Sequence, residues 1–293
     1  MHVAVLGCGY VGLELCRQLG DHDVIGVRRS EGGLERVEAT GARAVRADVT
    51  DDEALARVPD ADTVVFAASS GGRGAEAARE VYVEGLRTAV DHFRGRADPP
   101  DRVVYASSTG VYGDHDGGWV DEETPIEPTT AKTGVLAEAE RVALERATGD
   151  CTGTVARFAG LYGPDRYRLD RYVEGPVTEG YLNMVHRDDA AGAVAHLLET
   201  GRGRDEVVNV VDDEPVSKWA FADWLADQCG REPPEKRTVT ERLAAGDLSD
   251  PAERRLRTSK RVGNDRLHEL GYEFAYPTFR EGYRAAVEAR REG

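Results

Sequence analysis

Lysine is nearly missing from this chain: of 38 basic residues among 293, only Lys132, Lys218, Lys236 and Lys260 are lysines. Positive charge is also outnumbered, because 54 carboxylates bring the formal net charge to −16. That balance excludes a general nucleic-acid binder, which needs a broad basic face to neutralise phosphates. It argues equally against docking on an anionic membrane. Cysteine is scarce as well, and Cys8, Cys16, Cys151 and Cys229 form no CxxC pair. No zinc site or disulfide framework is therefore expected, no metal is assigned, and the thiols read as reduced ones in a cytoplasmic protein. No apolar run reaches the ~20 residues of a membrane span. The first twelve residues are apolar but short and carry no basic leader, so they read as a strand rather than a signal peptide.

What is present suits a large folded domain. Hydrophobic residues make up 40% and charged residues 31%, enough for a substantial core. The acidic, arginine-over-lysine composition is halophile-like and concerns solubility rather than chemistry. Short β-branched runs at 2–6, 23–27, 42–47, 63–67 and 102–106 alternate with helical patterns at 10–19, 34–39, 52–57 and 74–93. A helix at 133–148 and a strand at 154–158 continue the rhythm. Strand, helix, strand at this spacing predicts an α/β fold: a Rossmann-type, doubly wound parallel sheet with right-handed crossovers. After Gly163-Pro164 the pattern loosens into a helix at 188–200, a strand at 206–211 and a helix at 217–229. A charged surface excursion over 230–259 and helices at 261–270 and 278–290 complete the reading.

Gly7-Cys8-Gly9-Tyr10-Val11-Gly12 directly follows the first strand and opens the first helix. In such a G-x-G-x-x-G the first glycine makes the turn, the second admits a pyrophosphate, and the third lets helix and strand pack closely. The helix N-terminus then offers free N–H groups and its dipole to the phosphates. At the end of the second strand an NAD site places a carboxylate for the ribose 2′-hydroxyl. Here the residues are Arg28, Arg29 and Ser30, two guanidiniums and a hydroxyl that favour the 2′-phosphate of NADP over NAD. The plainer alternative is two solvated charges in an arginine-rich chain. Residues 1–163 thus read as an NAD(P)-binding domain. No long polar linker follows, so 164–293 reads as a small C-terminal substrate lobe interleaved with the main sheet.

The fifth strand runs into Ser107-Ser108-Thr109-Gly110-Val111-Tyr112-Gly113, and Asp121-Glu122-Glu123-Thr124-Pro125 follows. Further along come 157–164, ending Tyr162-Gly163-Pro164, then Val185-His186-Arg187-Asp188-Asp189-Ala190, Val208-Asn209-Val210 and Leu270-Gly271-Tyr272-Glu273-Phe274. In this order, over nearly the whole chain, the motifs resemble the extended short-chain dehydrogenases, the NAD-dependent epimerase/dehydratase family. The resemblance implies that Asp48 and Val49 sit beside the adenine, and that Ala67, Ala68 and Ser69 line the cofactor. It also implies that Gly160 and Leu161 approach the nicotinamide amide, and that Ser108 hydrogen-bonds the reacting oxygen.

The same resemblance shows what is missing. The family's acid/base is a Tyr whose phenol is acidified by a Lys four residues later. Pro128 and Glu140 fit the flanking positions, but Lys132 stands where the Tyr belongs and Leu136 where the Lys belongs. The dehydratase branch places Asp-Glu after the catalytic Ser/Thr, whereas Thr109-Gly110 follow Ser108 here. These departures resemble atypical, YeeZ-like short-chain dehydrogenase proteins with a degenerate site. Tyr112, Tyr162 and Lys132 remain as ionisable candidates for the acid/base. Asp114-His115-Asp116, followed by two glycines, reads as a solvated loop rather than a metal site. Two functions stay open: an NADP-dependent oxidoreductase or epimerase acting on a nucleotide sugar or related carbonyl or alcohol, and a non-catalytic NADP(H)-binding protein, a redox sensor or structural partner. The expected partner is a small-molecule substrate, and a homodimer stays open.

Overall fold

Runs of β-branched residues at a two-residue period bury both faces of their strands, and a sheet buried on both faces is parallel with helical crossovers. In the computed structural model, which describes residues 1–71, 74–246 and 248–292, seven such strands form one parallel sheet. Its spatial order is Glu206–Val210, Thr152–Phe158, Arg102–Ser108, Thr63–Phe66, His2–Leu6, Asp23–Arg28 and Arg43–Arg46. Alternation along the first strand sends Val3 and Val5 into one core cluster and Ala4 and Leu6 into the other. The first cluster is covered by the helices Tyr10–Gln18 and Arg187–Thr200, through Val11, Leu15, Val194 and Leu197. The second is covered by Leu86–Arg94 and Ala131–Arg146, through Val90, Phe93, Val135 and Val142. Strand order reverses between His2–Leu6 and Thr63–Phe66. The carboxyl ends of the strands at such a switch point form the crevice where this architecture binds ligands.

Several elements depart from the sequence expectation. The 74–93 helix is interrupted: Ala75–Arg79 passes into a π-helical turn, Glu80–Gly85, before Leu86–Arg94 resumes. The helix expected at 133–148 begins earlier, at Ala131, because Thr130 caps it in a reciprocal box with Thr133. The stretch 230–259 contains the strand Lys236–Arg237, paired with Val177–Thr178, and the helices Val239–Ala244 and Asp250–Arg257. The helix expected at 261–270 is wrong in its first half. Arg261–Val262 forms a short parallel pair with Trp119–Val120, and only Asp265–Glu269 is helical. A third cluster, built from Tyr162, Tyr172, Phe221, Leu225, Phe279 and Tyr283, packs the C-terminal half. The seventh strand, Glu206–Val210, also comes from that half and pairs with Thr152–Phe158. Among the described residues no helix is long and apolar enough to cross a membrane.

Candidate cofactor and active site

The three glycines of the first turn answer to three different neighbours. Gly7 has φ +93°, and a Cβ there would meet the Ala68 backbone at 2.2 Å, so the loop after the fourth strand presses directly on it. A Cβ on Gly12 would meet the Gly7 carbonyl at 3.0 Å and Val5 at 3.4 Å, the close packing of helix on strand. Gly9 is different. Its φ is −84°, and its nearest neighbours to an added Cβ are the Gly7 carbonyl at 3.8 Å and Arg28 Nη1 at 3.9 Å. No protein atom crowds that point, which leaves room for a pyrophosphate lying on that backbone. The helix that starts at Tyr10 has no side-chain cap and no acidic residue in its first turn, so its leading N–H groups are left for an anion.

Beside this turn lies a cleft of about 300 Å³ lined by Gly7, Arg28, Arg29, Asp48, Val49, Ala68 and Ser69. All seven were expected at the cofactor. Ser30, Ala47, Gly71 and Val81 complete the wall together with Val27. Asp48 Oδ1 accepts from the Thr50 N–H and hydroxyl, and its Oδ2 faces Arg29 Nη1 at 3.3 Å. Burial works against the charged carboxyl, yet these bonds prevail and hold it below the usual carboxylate range. Arg28 has no carboxylate partner among the described residues. The chain therefore fits a dinucleotide: the glycine turn and open helix end for the pyrophosphate, and the Arg28–Asp48 wall for the adenosine side. Tyr10, Val11 and Ala67 flank the turn without lining the cleft. Tyr10 instead donates to the Pro164 carbonyl at 2.8 Å and carries the Arg166 guanidinium 4.1 Å over its ring. Gly160 and Leu161 form a short strand pair with Met184 and Val185 at the far side of the sheet's carboxyl edge.

Ser108 ends the fifth strand half-buried, and its Oγ accepts from the Gly110 N–H at 3.2 Å. Beneath it lies a buried network. Ser107 donates to Glu140 Oε1 at 2.6 Å, and Arg157 reaches both Glu140 oxygens at 3.0 and 2.7 Å. The same guanidinium covers the Tyr112 ring at 4.7 Å. Tyr112 is fully buried and donates to Asn209 Oδ1 at 2.9 Å, and burial raises its phenol pKa. Tyr162 is buried with its hydroxyl against Gly282, and burial raises it further still. Neither phenol opens onto the crevice. Lys132 does lie exposed at the start of its helix, and its amine sits 6.0 Å over the ring of Tyr82.

Tyr82 was not singled out from the sequence. It projects from the π-helical turn, a feature frequent at functional sites, and its hydroxyl accepts from the Ser70 N–H at 3.3 Å, at the carboxyl end of the fourth strand. Leu136 packs against the same core cluster as Tyr82. The fourth and fifth strands are paired neighbours, so the Ser70 loop that Tyr82 bonds and the Ser108 strand end leave the same edge of the sheet. The sequence signal that could have flagged it is weak: a lone aromatic inside an apolar helical pattern reads as core. Among the described residues no group of three or more His, Cys, Asp or Glu side chains could hold a metal ion.

The model of a family described as NAD dependent epimerase/dehydratase matches residues 3–212. Protein YeeZ of Escherichia coli K12 is 30% identical over 94% of this chain and 96% of its own. A solved structure from Methylobacillus flagellatus, described as an NAD-dependent epimerase/dehydratase, shares 30% identity with a TM-score of 0.76, covering 99% of this chain and 98% of that one. The dTDP-glucose 4,6-dehydratase DesIV of Streptomyces venezuelae, solved with NAD and TYD bound, has a TM-score of 0.79 at 23% identity over 100% and 98% of the two chains. That last likeness concerns the fold alone.

Proposed function

The chain belongs to the NAD-dependent epimerase/dehydratase family, and from that premise we propose that it is an NADP-dependent oxidoreductase or epimerase acting on a nucleotide sugar or a related carbonyl or alcohol. The observation that carries the reading is the empty approach to Gly9 beside the unpaired Arg28 guanidinium. Together they suit a pyrophosphate and a 2′-phosphate on one ligand. A bound nicotinamide would supply hydride transfer. The protein's own residues supply orientation and proton handling. The Ser108 hydroxyl, fixed by Gly110, hydrogen-bonds a substrate oxygen and leaves the Glu140–Arg157 pair below to hold the strand end in place. Lys132, whose amine sits 6.0 Å over the Tyr82 ring, and Tyr82 are the groups assigned in place of the usual Tyr-x-x-x-Lys pair.

Leu136 favours a second reading. A leucine in the lysine's position, half-buried against the core cluster that Tyr82 also adjoins, can neither acidify a phenol nor donate to a ribose, which suits a cofactor-binding protein without turnover. Following NADPH absorbance over a panel of carbonyls and nucleotide sugars separates the two. If the enzyme reading holds, wild type turns over at least one substrate, and Ser108→Ala and Tyr82→Phe each lose about 10²–10⁴-fold in rate. A protein that binds NADPH and is inert on every substrate leaves the binding-protein reading standing.

A further inference from the structure

Cysteine is scarce in this chain, yet two of its four cysteines meet inside the cofactor turn. Cys8 stands between the first two glycines of the Gly7–Gly12 motif, and Cys16 lies on the helix that follows. Their sulfurs are 3.6 Å apart, and the two residues are 0% and 1% exposed. The other two lie elsewhere in the fold, Cys151 just before the strand Thr152–Phe158 and Cys229 at the end of the helix Lys218–Gln228. All four thiols are free. The Cys8 sulfur is fixed on several sides. It donates to the Val5 carbonyl at 3.3 Å, and a Cβ added to Gly26 would meet it at 2.9 Å. The second strand thus gives way at Gly26 to this sulfur. Hydrogen bonding to Cys8, then burial, push the Cys16 thiol well above the ordinary cysteine range. The resting pair is therefore a dithiol, and it oxidises slowly.

What moves on closure is set by what is anchored. The helix Tyr10–Gln18 is tied to the C-terminal half: Gln18 donates to the Asp188 carbonyl at 2.9 Å, and Glu14 faces Arg187 at 3.5 Å. Gly7 is clamped against the Ala68 backbone. A disulfide holds its sulfurs about 2 Å apart, so closing this pair draws them together by about 1.5 Å. The shift falls on Cys8 and Gly9, between the two anchors, and their backbone is the seat of the pyrophosphate.

We propose that Cys8 and Cys16 are a modification site, a reversible disulfide whose closure displaces the Cys8–Gly9 backbone and weakens dinucleotide binding. The oxidant is a peroxide. One thiol attacks its O–O bond, giving a sulfenic acid and water; the other thiol then attacks that sulfur, the S–O bond breaks, and a second water leaves. The two sulfurs give up two electrons in all, the O–O bond takes them, and both thiol protons end in water. A dithiol reductant reverses the change by exchange. A transient, responsive disulfide of this kind is the sort a reducing compartment permits. The effect on binding rests on the cofactor reading above; the disulfide itself does not.

The segment from Met1 to Arg17 carries both cysteines and no internal Lys or Arg, so trypsin releases the pair on one fragment. Wild type is treated with hydrogen peroxide, freed of it by desalting, and alkylated after denaturation. The fragment should escape alkylation and weigh two hydrogens less than the dithiol form. NADPH affinity, followed by fluorescence, should fall about tenfold or more with the loss of a backbone bond to phosphate, and dithiothreitol should restore it. Cys16→Ala should bind NADPH as reduced wild type does and keep that affinity after peroxide, with Cys16→Ser in its place if the alanine variant fails to fold. The Cys151→Ala/Cys229→Ala double variant should respond as wild type does. A fully alkylated fragment after peroxide, undiminished NADPH affinity in the oxidised protein, or an equal loss in Cys16→Ala overturns the proposal. Reduced wild type that binds no NADPH would refute the cofactor reading instead, and the mass of the fragment would still decide the disulfide.

Discussion

Arg29 Nη1 stands 3.3 Å from Asp48 Oδ2, so the loop after the third strand holds one of the two arginines that end the second. Arg28, one residue earlier, lines the same cleft and faces Gly9 with no such restraint. The pair is therefore unequal. Arg28→Ala should cost NADPH about tenfold or more in affinity while leaving NADH nearly unchanged. Arg29→Ala should cost less, because it also frees Asp48. Fluorescence titration of both cofactors against both variants measures this, and equal NADPH and NADH affinities in wild type would remove the basis for NADP.

Gly9→Val probes the open space above the turn. Because an added Cβ meets no protein atom within 3.8 Å, the fold should survive, with an unchanged circular dichroism spectrum and melting temperature. Dinucleotide binding should be lost, since the branched side chain fills the pyrophosphate's path. Undiminished NADPH binding by a folded Gly9→Val would sink this account of the turn.

The buried pair below Ser108 is a matter of stability. Glu140 and Arg157 side chains are 4% and 6% exposed, and Glu140 also accepts from Ser107. Glu140→Ala would strand a guanidinium in the core and should cost about 3–5 kcal/mol, read as a fall in the urea midpoint. A loss below about 1 kcal/mol would mean that water already reaches Arg157.

Lys260 gives a pH dependence whose sign is fixed by its direction. Its amine, 7% exposed and bonded to the Gly113 carbonyl at 2.9 Å, is pushed down by burial from 10.5 to about 8, with Asp114 opposing. Below about pH 8 the lysine is charged in both folded and unfolded chains, and its burial penalty is present in full. Between about 8 and 10.5 the unfolded chain binds the extra proton, so this group's contribution to stability rises with pH. The gain is on the order of 3 kcal/mol at most. Urea unfolding of wild type and Lys260→Met at pH 7 and 9.5 isolates it; parallel behaviour of the two proteins would contradict the assignment.

Much of this architecture was legible because it is local. The two-residue alternation of the first strands and the glycine turn between strand and helix are written in neighbouring residues, and seven expected cofactor residues do meet in one cleft. What was not legible depends on distant partners. Val262 shares an apolar spacing with Leu267 and Leu270 that suggests one helix, but Arg261 and Val262 pair instead with Trp119 and Val120, and no local pattern announces a contact across 142 residues of chain. Tyr112 looked available because its motif is a reactive one, yet Asn209, far along the chain, takes its hydroxyl. Tyr82 was hidden for the opposite reason: the residues around it read as ordinary helix, and only the π-helical turn sets it beside Ser70.

The seventh strand of the central sheet sets how far this protein can be treated as separable parts. Glu206–Val210 lies beside Thr152–Phe158, and the helix Arg187–Thr200 covers one face of the same sheet. A chain cut after Gly163 would lose both and leave Thr152–Phe158 as a bare, apolar outer strand, which invites intermolecular pairing. The cofactor-binding half is thus not a cassette to be lifted out. Exchanging the C-terminal half for that of a relative means replacing a strand and a covering helix of the shared core, so specificity is better re-engineered by loop grafts at the sheet's carboxyl edge than by swapping halves.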